Sequence, residues 1–334
     1  MANTFDELVD LVRRIFVRHG MSDSNANILA HNCVAAERDG AKSHGLFRVG
    51  DYVSTLKSGW VDGQAEPRLD ADRAASVVSV DARNGFAQPA LALGRSPAIS
   101  KARSSGVCII TIRDSHHLGA LWLDAEPFAH AGLLALACVN SVKRLVPWGG
   151  REPVFGTNPM ALAVPRQGNE PLVFDQASSA MAFGEIALAA KGGHQLPPGV
   201  GLDRDRHPTT DARAVVEGGA LLPFGGQKGS SIAMMIELLS AALTGGSFSY
   251  EVDSYGYPGA RTTRTGEFIL LIDPERAGAR DFRGRVERLV GKMAECGQQR
   301  LPGVRRYQNR RHAAGHGIPA SDAVLKMLHG FLSS

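Results

Sequence analysis

The sequence predicts an α/β protein in which a mixed α/β core is flanked by a helical subdomain made from both ends of the chain. Short apolar and β-branched runs alternate with helical patterns from about residue 74 onwards, and amphipathic helical patterns occupy both termini. The chain has 334 residues and is 44% hydrophobic, which is enough for a large buried core. We predict that residues 1–72 and 282–334 form the helical subdomain and that residues 73–281 form the core.

Three helices are predicted near the N-terminus. Apolar residues recur at intervals of three and four from Phe5 to Phe16, which is typical of one buried helix face. Ser22 can cap a second helix, which runs to about Gly40, and Val49 begins a third. The segment from Ala41 to Arg48 is therefore a predicted loop between two helices.

Strands and helices alternate through the core. Six apolar runs predict strands at residues 75–80, 107–112, 133–139, 161–164, 172–174 and 268–272. Helical spacing predicts helices at residues 88–104, 117–130, 179–190 and 230–243. An amphipathic stretch from Phe282 to Met293 and a short tail helix from about Ile318 complete the chain. This mixture is typical of one large α/β core.

The composition argues against several classes of partner. Lysine and arginine exceed aspartate and glutamate by 37 − 33 = 4, and no basic run is interleaved with aromatic residues, so we expect no nucleic-acid partner. No apolar run approaches the ~18 residues that a membrane helix needs, and the N-terminus opens an amphipathic helix rather than a signal peptide. We expect no membrane association and a cytoplasmic location. The four cysteines form no C-x-x-C pair, and because three of them lie in apolar or helical patterns, buried free thiols are predicted.

The loop after the second helix carries groups suited to proton transfer. Ser43 and His44 are a possible proton relay, because an imidazole titrates near neutral pH. Arg48 can hold a carboxylate through two parallel hydrogen bonds, although its charge opposes the dipole of the helix that it begins. An ordinary loop has a similar composition, so a function for these residues depends on a cofactor site elsewhere in the chain.

No Rossmann fingerprint follows a predicted strand. The nearest match, Gly315 to Ala320, follows a polar stretch rich in arginine, and no P-loop is present. A dinucleotide would therefore bind by another geometry. The segment Asp114 to Ala120 follows a predicted strand and opens a predicted helix, whose free N–H groups suit a diphosphate. A capped turn with two surface histidines explains the same segment equally well.

Two further stretches are suited to phosphate. The segment Gly225 to Ser230 offers backbone donors and one lysine at a predicted helix start, although an ordinary glycine loop is the alternative. The segment Pro302 to Arg311 places four arginines in a predicted turn, either as a clamp for the 2′-phosphate of NADP or as a solvated basic face. We expect no metal, because adjacent histidines do not easily share an ion and no H-E-x-x-H spacing occurs.

Five motifs in this order resemble the malate/L-lactate dehydrogenase type 2 family. They are Ser43-His44-Gly45, His116-His117-Leu118-Gly119-Ala120, Pro147-Trp148-Gly149-Gly150, Gly156-Thr157-Asn158-Pro159 and Gly225-Gly226-Gln227-Lys228-Gly229. The similarity extends from about residue 5 to 330. Members of that family are NAD(P)-dependent oxidoreductases that do not use the Rossmann fold. The resemblance implies a non-Rossmann NAD(P)-binding core and a homodimer.

Within that family, two segments look most similar to the Δ1-pyrroline-2-carboxylate/Δ1-piperideine-2-carboxylate reductases. They are Phe174 to Ser179 and Leu222 to Ser230. Those enzymes reduce cyclic imino acids to L-proline and L-pipecolate, usually with NADPH. In Phe183-Gly184-Glu185 an acid stands where the malate branch often has a lysine. The resemblance implies a small cyclic imino acid as substrate and NADPH as cofactor, with NADH as a weaker substitute.

The resemblance also implies roles for individual residues. Ser43, His44 and Glu185 would form a proton relay, with Glu185 in place of the commoner aspartate, and Arg48 and Thr157 would bind the substrate. The residues lining the cofactor would be His116, His117, Leu118, Gly119, Ala120, Phe174, Asp175, Gln176, Gln227, Lys228, Gly303, Val304, Arg305, Arg306, Tyr307, Gln308 and Asn309. Reduction of a C=N bond needs a hydride from the nicotinamide and a proton at the nitrogen, which fits these residue types.

Three other functions are compatible with the sequence. One is a malate- or lactate-type dehydrogenase of 2-hydroxy acids from the same family. Another is a hydrolase with Ser43 as nucleophile, although Ser43 lies in no G-x-S-x-G elbow and adjacent Ser and His side chains rarely align for attack. The last is an inactive, oligomeric ligand-binding protein of this fold, against which the full set of relay and clamp residues argues.

Overall fold

The computed structural model describes residues 3–71 and 74–333, and the mixed α/β fold is confirmed. In chain order the strands are β1 (Arg68–Leu69), β2 (Val77–Phe86), β3 (Val107–His117), β4 (Leu134–Val139), β5 (Met160–Val164), β6 (Leu172–Gln176), β7 (Gly201–Leu202), β8 (Pro208–Thr209), β9 (Ala220–Leu221) and β10 (Thr263–Ile272). Seven strands form the main sheet in the order β1-β2-β3-β10-β4-β5-β6, and β8-β7-β9 form a small second sheet.

Helices cover both sheets. They are α1 (Phe5–Arg18), α2 (Asp23–Arg38), α3 (Val49–Ser58), α4 (Ala87–Ser105), α5 (Trp122–His130), α6 (Phe183–Gly192), α7 (Ala212–Val216), α8 (Gln227–Glu237), α9 (Phe282–Glu295), α10 (Val304–His316) and α11 (Asp322–Ser333). Two single 3-10 turns, Lys42–His44 and Leu46–Arg48, replace the predicted loop between α2 and α3. A π-helical turn, Leu238–Ala242, continues α8.

The main sheet is not a doubly wound Rossmann sheet. Only β2 and β3 pair in parallel, and every other pair of neighbouring strands in the sheet is antiparallel. The glycine-containing segment Gly315 to Ala320 begins within the end of α10 rather than after a strand. The rejection of a Rossmann fingerprint there is therefore confirmed.

The core of the sheet follows from alternating apolar residues. Ile110 and Ile112 on β3 are fully buried, and β10 lies between β3 and β4, where Ile269 and Leu271 are fully buried. The same apolar cluster contains Leu91 of α4. Burial on this scale contributes roughly 1.5–3 kcal/mol for each large side chain, which makes the sheet a rigid base for the segments at its edge.

Both ends of the chain meet in one helical cluster, as predicted. Leu8 of α1, Leu29 of α2, Tyr52 of α3 and Leu328 of α11 belong to the same buried apolar group. The predicted boundary between subdomain and core falls on residues 72 and 73, which lie outside the described residues. The domain limits stay a prediction.

Two predicted elements differ from the structure in ways that affect the site. The helix expected from residue 117 begins only at Trp122, because β3 continues through His117 by pairing with β10, with His116 opposite Arg264. The turn expected at Pro302 to Arg311 is largely the helix α10, preceded by Gly303 at φ 87°. Only Tyr307 of α10 is buried, so this helix has no apolar periodicity to reveal it, although arginine and glutamine favour helices.

A third, smaller apolar cluster supports the helix that carries Glu185. Leu145, Ile186, Val215 and Leu221 pack together between α6, α7 and the small sheet, none of whose strands was predicted. Helix α6 begins at Phe183, four residues later than predicted. None of the helices that the structure describes is both long enough and apolar enough to cross a membrane.

Candidate active site

Ser43 and His44 occupy the first 3-10 turn after α2. The Ser43 hydroxyl lies 3.1 Å from Nδ1 of His44, so the two side chains are in hydrogen-bond contact. Below them, the N–H of Leu46 donates to Oε2 of Glu37 at 3.0 Å. A Cβ atom at Gly45 would collide with the Glu37 carboxylate, so a glycine is required at this close approach. The predicted Ser–His pair is therefore formed, and its backbone is held by α2.

Arg48 lies at the N-cap of α3 and turns back over the same loop. Its Nε donates to the carbonyl oxygen of Ser43 at 2.6 Å, and its Nη1 forms an ion pair with Asp51 at 2.8 Å. Asp51 lies in the first turn of α3, so its charge offsets the unfavourable position of the arginine. Nη2 makes no hydrogen bond to any residue that the structure describes, which leaves donors for a carboxylate.

His44 is neutral at neutral pH. Burial lowers the pKa of His44 to about 4, and the nearby charges of Arg48 and His117 lower it further. The expectation that this imidazole titrates near neutrality is therefore wrong for the protein alone, because the sequence could not show that the half-buried ring loses water and lies near two positive charges. An anion that reached this pocket would raise the pKa again.

Glu185 lies next to the relay but is not joined to it. A Cβ atom at Gly184 would lie 3.4 Å from Cβ of Ser43, so the start of α6 contacts the Ser43–His44 turn. The Glu185 side chain is exposed and makes no hydrogen bond or ion pair with the described residues. The relay of Ser43, His44 and Glu185 stays a prediction.

His117 ends β3 as a buried, charged imidazole. Its Nε2 lies 2.8 Å from Oδ2 of Asp124 on α5. Burial alone would lower the pKa of His117, but the hydrogen bond and charge of Asp124, with other carboxyl groups nearby, raise it to about 9. Asp175, whose pKa burial raises to about 6, accepts a hydrogen bond from the N–H of Trp122 at the start of α5.

Three predicted cofactor segments meet beside this histidine. Arg306 of α10 lies 4.8 Å over the ring of Trp122, and its Nη2 donates to the carbonyl oxygen of Val173 at 2.6 Å. Helix α10 therefore contacts β6 and the start of α5, the helix that follows β3. Asn309 donates to the carbonyl oxygen of Asp39 at 3.0 Å, which links α10 to the chain that leads into Ser43.

Several predicted cofactor residues have their side chains engaged by the protein. His116 is fully buried, with Nδ1 2.9 Å from the hydroxyl of Thr262 and Nε2 3.0 Å from Oδ1 of Asn84. Burial lowers its pKa to about 3. The buried Tyr307 hydroxyl donates to the carbonyl oxygen of Pro171 at 3.0 Å. These two side chains hold the fold together, so a cofactor would meet their backbone.

The segment Leu118-Gly119-Ala120 is a loop with a bend at Gly119 rather than a helix start. The predicted helix N-terminus at Asp114 to Ala120 is therefore wrong, because Asp114 to His117 belong to β3. A Cβ atom at Gly119 would lie 2.8 Å from side-chain atoms of Asn32 and Gln88, so the backbone approaches α2 and α4 closely.

Gln227 and Lys228 are the first two residues of α8. Both are exposed, and they follow Gly225 and Gly226, whose φ angles of 55° and 62° favour glycine. The ring of Trp148 packs against Gly226. The predicted helix start after a glycine loop is confirmed, and its binding of an anion stays a prediction.

Thr157 lies in a turn beside the end of β6. Its N–H donates to Oγ of Ser141 at 3.1 Å. Its carbonyl oxygen accepts from the N–H of Ser178 at 2.8 Å. The sequence offers no reason to place Ser141 or the buried Glu237 near Thr157. The only signal for Glu237 was a lone acid within an apolar helical pattern.

A buried acidic cluster surrounds His117. Oxygen atoms of Asp124 and Glu267 and a ring nitrogen of His117 all lie within 4.8 Å of one another, close enough to share a cation. Burial and the charge of Asp124 raise the pKa of Glu267, whose carboxyl oxygens have no hydrogen-bond partner. When Glu267 is protonated and neutral, the positive charge of His117 balances the negative charge of Asp124. The expectation that no metal binds stays a prediction.

A family model described as malate/L-lactate dehydrogenase matches residues 3–329. The chain belongs to the malate/L-lactate dehydrogenase family. This family member is 54% identical over 325 residues to the Δ1-pyrroline-2-carboxylate/Δ1-piperideine-2-carboxylate reductase of Pseudomonas syringae pv. tomato, covering 97% of this chain and 94% of that relative. It is thus an oxidoreductase.

Two further proteins are similar to this family member over nearly their whole length. The crystal structure of the Δ1-piperideine-2-carboxylate reductase from Pseudomonas syringae pv. tomato superimposes with a TM-score of 0.97 at 53% identity, over 99% of both chains. The (2R)-3-sulfolactate dehydrogenase (NADP(+)) of Chromohalobacter salexigens is 39% identical, covering 94% of this chain and 93% of that protein.

Proposed function

We propose that this oxidoreductase reduces the cyclic imino acids Δ1-pyrroline-2-carboxylate and Δ1-piperideine-2-carboxylate to L-proline and L-pipecolate, with NADPH as cofactor. One observation carries the proposal. Asn309 of α10 donates to the carbonyl oxygen of Asp39 just before the Ser43–His44 turn, and the charge of His117 acts on His44, so the turn lies beside two predicted cofactor segments. The relatives of this chain at 53–54% identity are named as these reductases.

The residues around the site fit a phosphorylated dinucleotide. Lys228 and Arg305 are exposed cations that form no ion pair with any other described residue, and the N–H of Gln227 at the start of α8 has no acceptor among the described residues. We infer that Lys228 and the start of α8 hold the diphosphate. We also infer that Arg305 binds the 2′-phosphate, so that NADPH is preferred to NADH. When bound, NADPH supplies a hydride to the imine carbon. The relative with NADP(+) in its name supports this choice.

Arg48 would bind the substrate, and His44 would supply the proton. The free Nη2 of Arg48 fits the substrate carboxylate, which brings a negative charge beside His44. Because the charge of Arg48 lowers the pKa of His44 in the protein alone, neutralising that charge raises the pKa and favours the imidazolium. His44 then donates its proton to the ring nitrogen, and the C=N bond becomes CH–NH. Ser43 orients the imidazole, and Glu185 reaches the relay by rotation of its exposed side chain.

A dehydrogenase of 2-hydroxy acids is the second candidate function. The similarity to the (2R)-3-sulfolactate dehydrogenase favours it, because a 2-oxo acid presents a carboxylate next to a polar double bond, as a cyclic imino acid does. The two functions need the same arginine and the same proton donor. They differ in whether the proton goes to nitrogen or to oxygen.

A substrate panel separates the two functions. We expect kcat/KM for NADPH oxidation to be at least about tenfold higher with either cyclic imino acid than with pyruvate, oxaloacetate or 3-sulfopyruvate, because the site would be matched to a ring nitrogen. Replacing NADPH by NADH should lower kcat/KM for the same imino acid. The opposite ranking of substrates would support the dehydrogenase instead, and equal rates with the two cofactors would remove the role of Arg305.

We also infer a homodimer from an exposed apolar face on α8 and the turn after it. This face, defined by Met234, Met235, Leu238 and Leu243, contains side chains that are 38–54% exposed. Contiguous apolar surface of this kind is typical of an interface between subunits, and twofold symmetry would place the face against its own copy. Cys33, Cys108 and Cys138 are buried free thiols as predicted, whereas Cys296 is an exposed free thiol. Free thiols suit a reducing compartment, so we infer a cytoplasmic location, which cell fractionation tests.

Charge placed on this face should dissociate the dimer. We expect Leu238→Arg to sediment as a monomer, because two arginines would meet across the symmetry axis without a counter-charge. Leu289→Arg is the matched control, since Leu289 is similarly exposed on α9, away from this face, and should leave the dimer intact. A wild-type monomer, or a dimer that tolerates Leu238→Arg, would contradict the assignment.

A further inference from the structure

Glu237 is a buried carboxylate that none of the proposed catalytic steps uses. It is the last residue of α8 and is only 4% exposed. Oε1 accepts from Nδ2 of Asn158 at 2.8 Å and from the Ser249 hydroxyl, and Oε2 accepts from the N–H of Ser249 at 3.1 Å and Nδ2 of Asn140 at 3.3 Å. No described lysine, arginine or histidine forms an ion pair with it. A buried charge held only by neutral donors depends on all of them.

A continuous set of hydrogen bonds leads from Glu237 to Thr157. The amide of Asn158 donates to Glu237, and its Oδ1 accepts from the N–H of Ser141 at 3.3 Å. Oγ of Ser141 accepts from the N–H of Thr157 at 3.1 Å and lies 3.3 Å from the Thr157 hydroxyl. The carboxylate and the hydroxyl are thus separated by two side chains, Asn158 and Ser141.

The backbone of this turn needs such support. Asn158 has a φ of 35°, in the left-handed region that non-glycine residues adopt at a cost. Its amide nitrogen is fixed by Glu237 and by the carbonyl oxygen of Ala233 at 3.0 Å. Both of these partners lie on α8, and the π-helical turn follows directly after Glu237. Single π-helical turns within α-helices are frequent at functional sites.

We propose that Glu237 is a positioning residue, which orients the Thr157 hydroxyl toward the substrate through Asn158 and Ser141. The inference rests on the proposed function, in which Thr157 binds the imino acid. Glu237 itself does not touch the substrate. Its loss should therefore weaken substrate binding more than it slows the chemical step, and it should leave the cofactor affinity unchanged.

The test begins with Glu237→Gln, which keeps the size of the side chain but replaces one acceptor oxygen by an NH₂ donor that faces another donor. We expect the KM for Δ1-piperideine-2-carboxylate to rise about tenfold, with kcat changed less than about threefold and the KM for NADPH unchanged. Glu126→Gln is the control for stability, because Glu126 is equally buried on α5 and ion-paired to Arg310. It should lower the Tm without raising the substrate KM.

A double-mutant cycle with Thr157→Ala shows whether Glu237 acts through Thr157. If it does, adding Glu237→Gln to Thr157→Ala raises KM no further. Fully additive effects, or a Glu237→Gln enzyme that loses only Tm, would overturn the proposal. If Thr157→Ala leaves KM unchanged, the substrate role of Thr157 in the proposed function fails instead.

Ser141→Ala provides a second test should Glu237→Gln not fold. It removes the hydroxyl that contacts Thr157 and leaves the carboxylate and its four donors in place. We expect the same direction of change, with KM raised and the KM for NADPH constant. An unchanged KM in Ser141→Ala, beside a raised KM in Thr157→Ala, would refute the hydrogen-bonded path.

Discussion

Replacing His44 by alanine is expected to lower kcat for cyclic imino acids by roughly 100- to 10,000-fold while NADPH still binds. The half-buried imidazole is in contact with Ser43 and beside Arg48, so its removal leaves no proton donor at the ring nitrogen. Steady-state kinetics with Δ1-piperideine-2-carboxylate would measure the loss, and NADPH fluorescence titration would measure cofactor binding. His130→Ala is the control, because His130 is half exposed on α5.

The pH dependence of kcat gives the same experiment a second readout. A donor must be protonated to act, so activity falls as pH rises through the pKa of His44 in the substrate complex. The pKa of His44 is about 4 in the protein alone, and the substrate carboxylate on Arg48 should move this fall to higher pH. The fall should be absent from His44→Ala. A variant with full activity would end the proton-donor assignment.

Arg48→Ala is expected to lower kcat/KM for the imino acid by roughly 100- to 1,000-fold, mainly through KM. Removing one partner of a hydrogen-bonded charge pair in a shielded site costs about 2–5 kcal/mol of binding free energy. Arg48 also donates from Nε to the carbonyl oxygen of Ser43, so its loss loosens the relay turn. Initial rates over a range of substrate concentrations would separate KM from kcat.

Two conservative variants show which property of Arg48 matters. Arg48→Lys keeps the positive charge but not the planar fork, so its KM should lie between those of wild type and Arg48→Ala. Asp51→Asn removes the ion pair at Nη1 while the guanidinium stays, and its KM should change little. An Arg48→Ala enzyme with a wild-type KM would show that another group binds the carboxylate.

Local sequence was sufficient where an element depends on its own residues. The first helix was predicted correctly because Phe5 to Phe16 present one apolar face, and the structure adds a capping box between Thr4 and Glu7. The glycine loop before α8 was also predicted, since Gly225 and Gly226 adopt backbone angles that few other residues tolerate.

Prediction failed where a distant segment decides the structure. β3 continues to His117 because β2 pairs with Ser115 and His116, and β10, about 150 residues later, pairs with its last three residues. α10 has no apolar stripe, so its helical state was missed, and with it the fact that Arg306 is tied to Val173 rather than free for phosphate. The four arginines predicted to lie in one turn are therefore not equivalent.

For the site, the sequence by itself determined which chemical groups are available and which of them are neighbours along the chain. Ser43, His44 and Arg48 lie on one short loop whatever the rest of the fold does. Tertiary structure decided that His44 is neutral, that Glu185 is exposed beside it, and that Glu237 lies behind Thr157. The reason is physical: a pKa and a hydrogen-bond partner depend on burial and on charges from distant parts of the chain, which only the packed protein brings together.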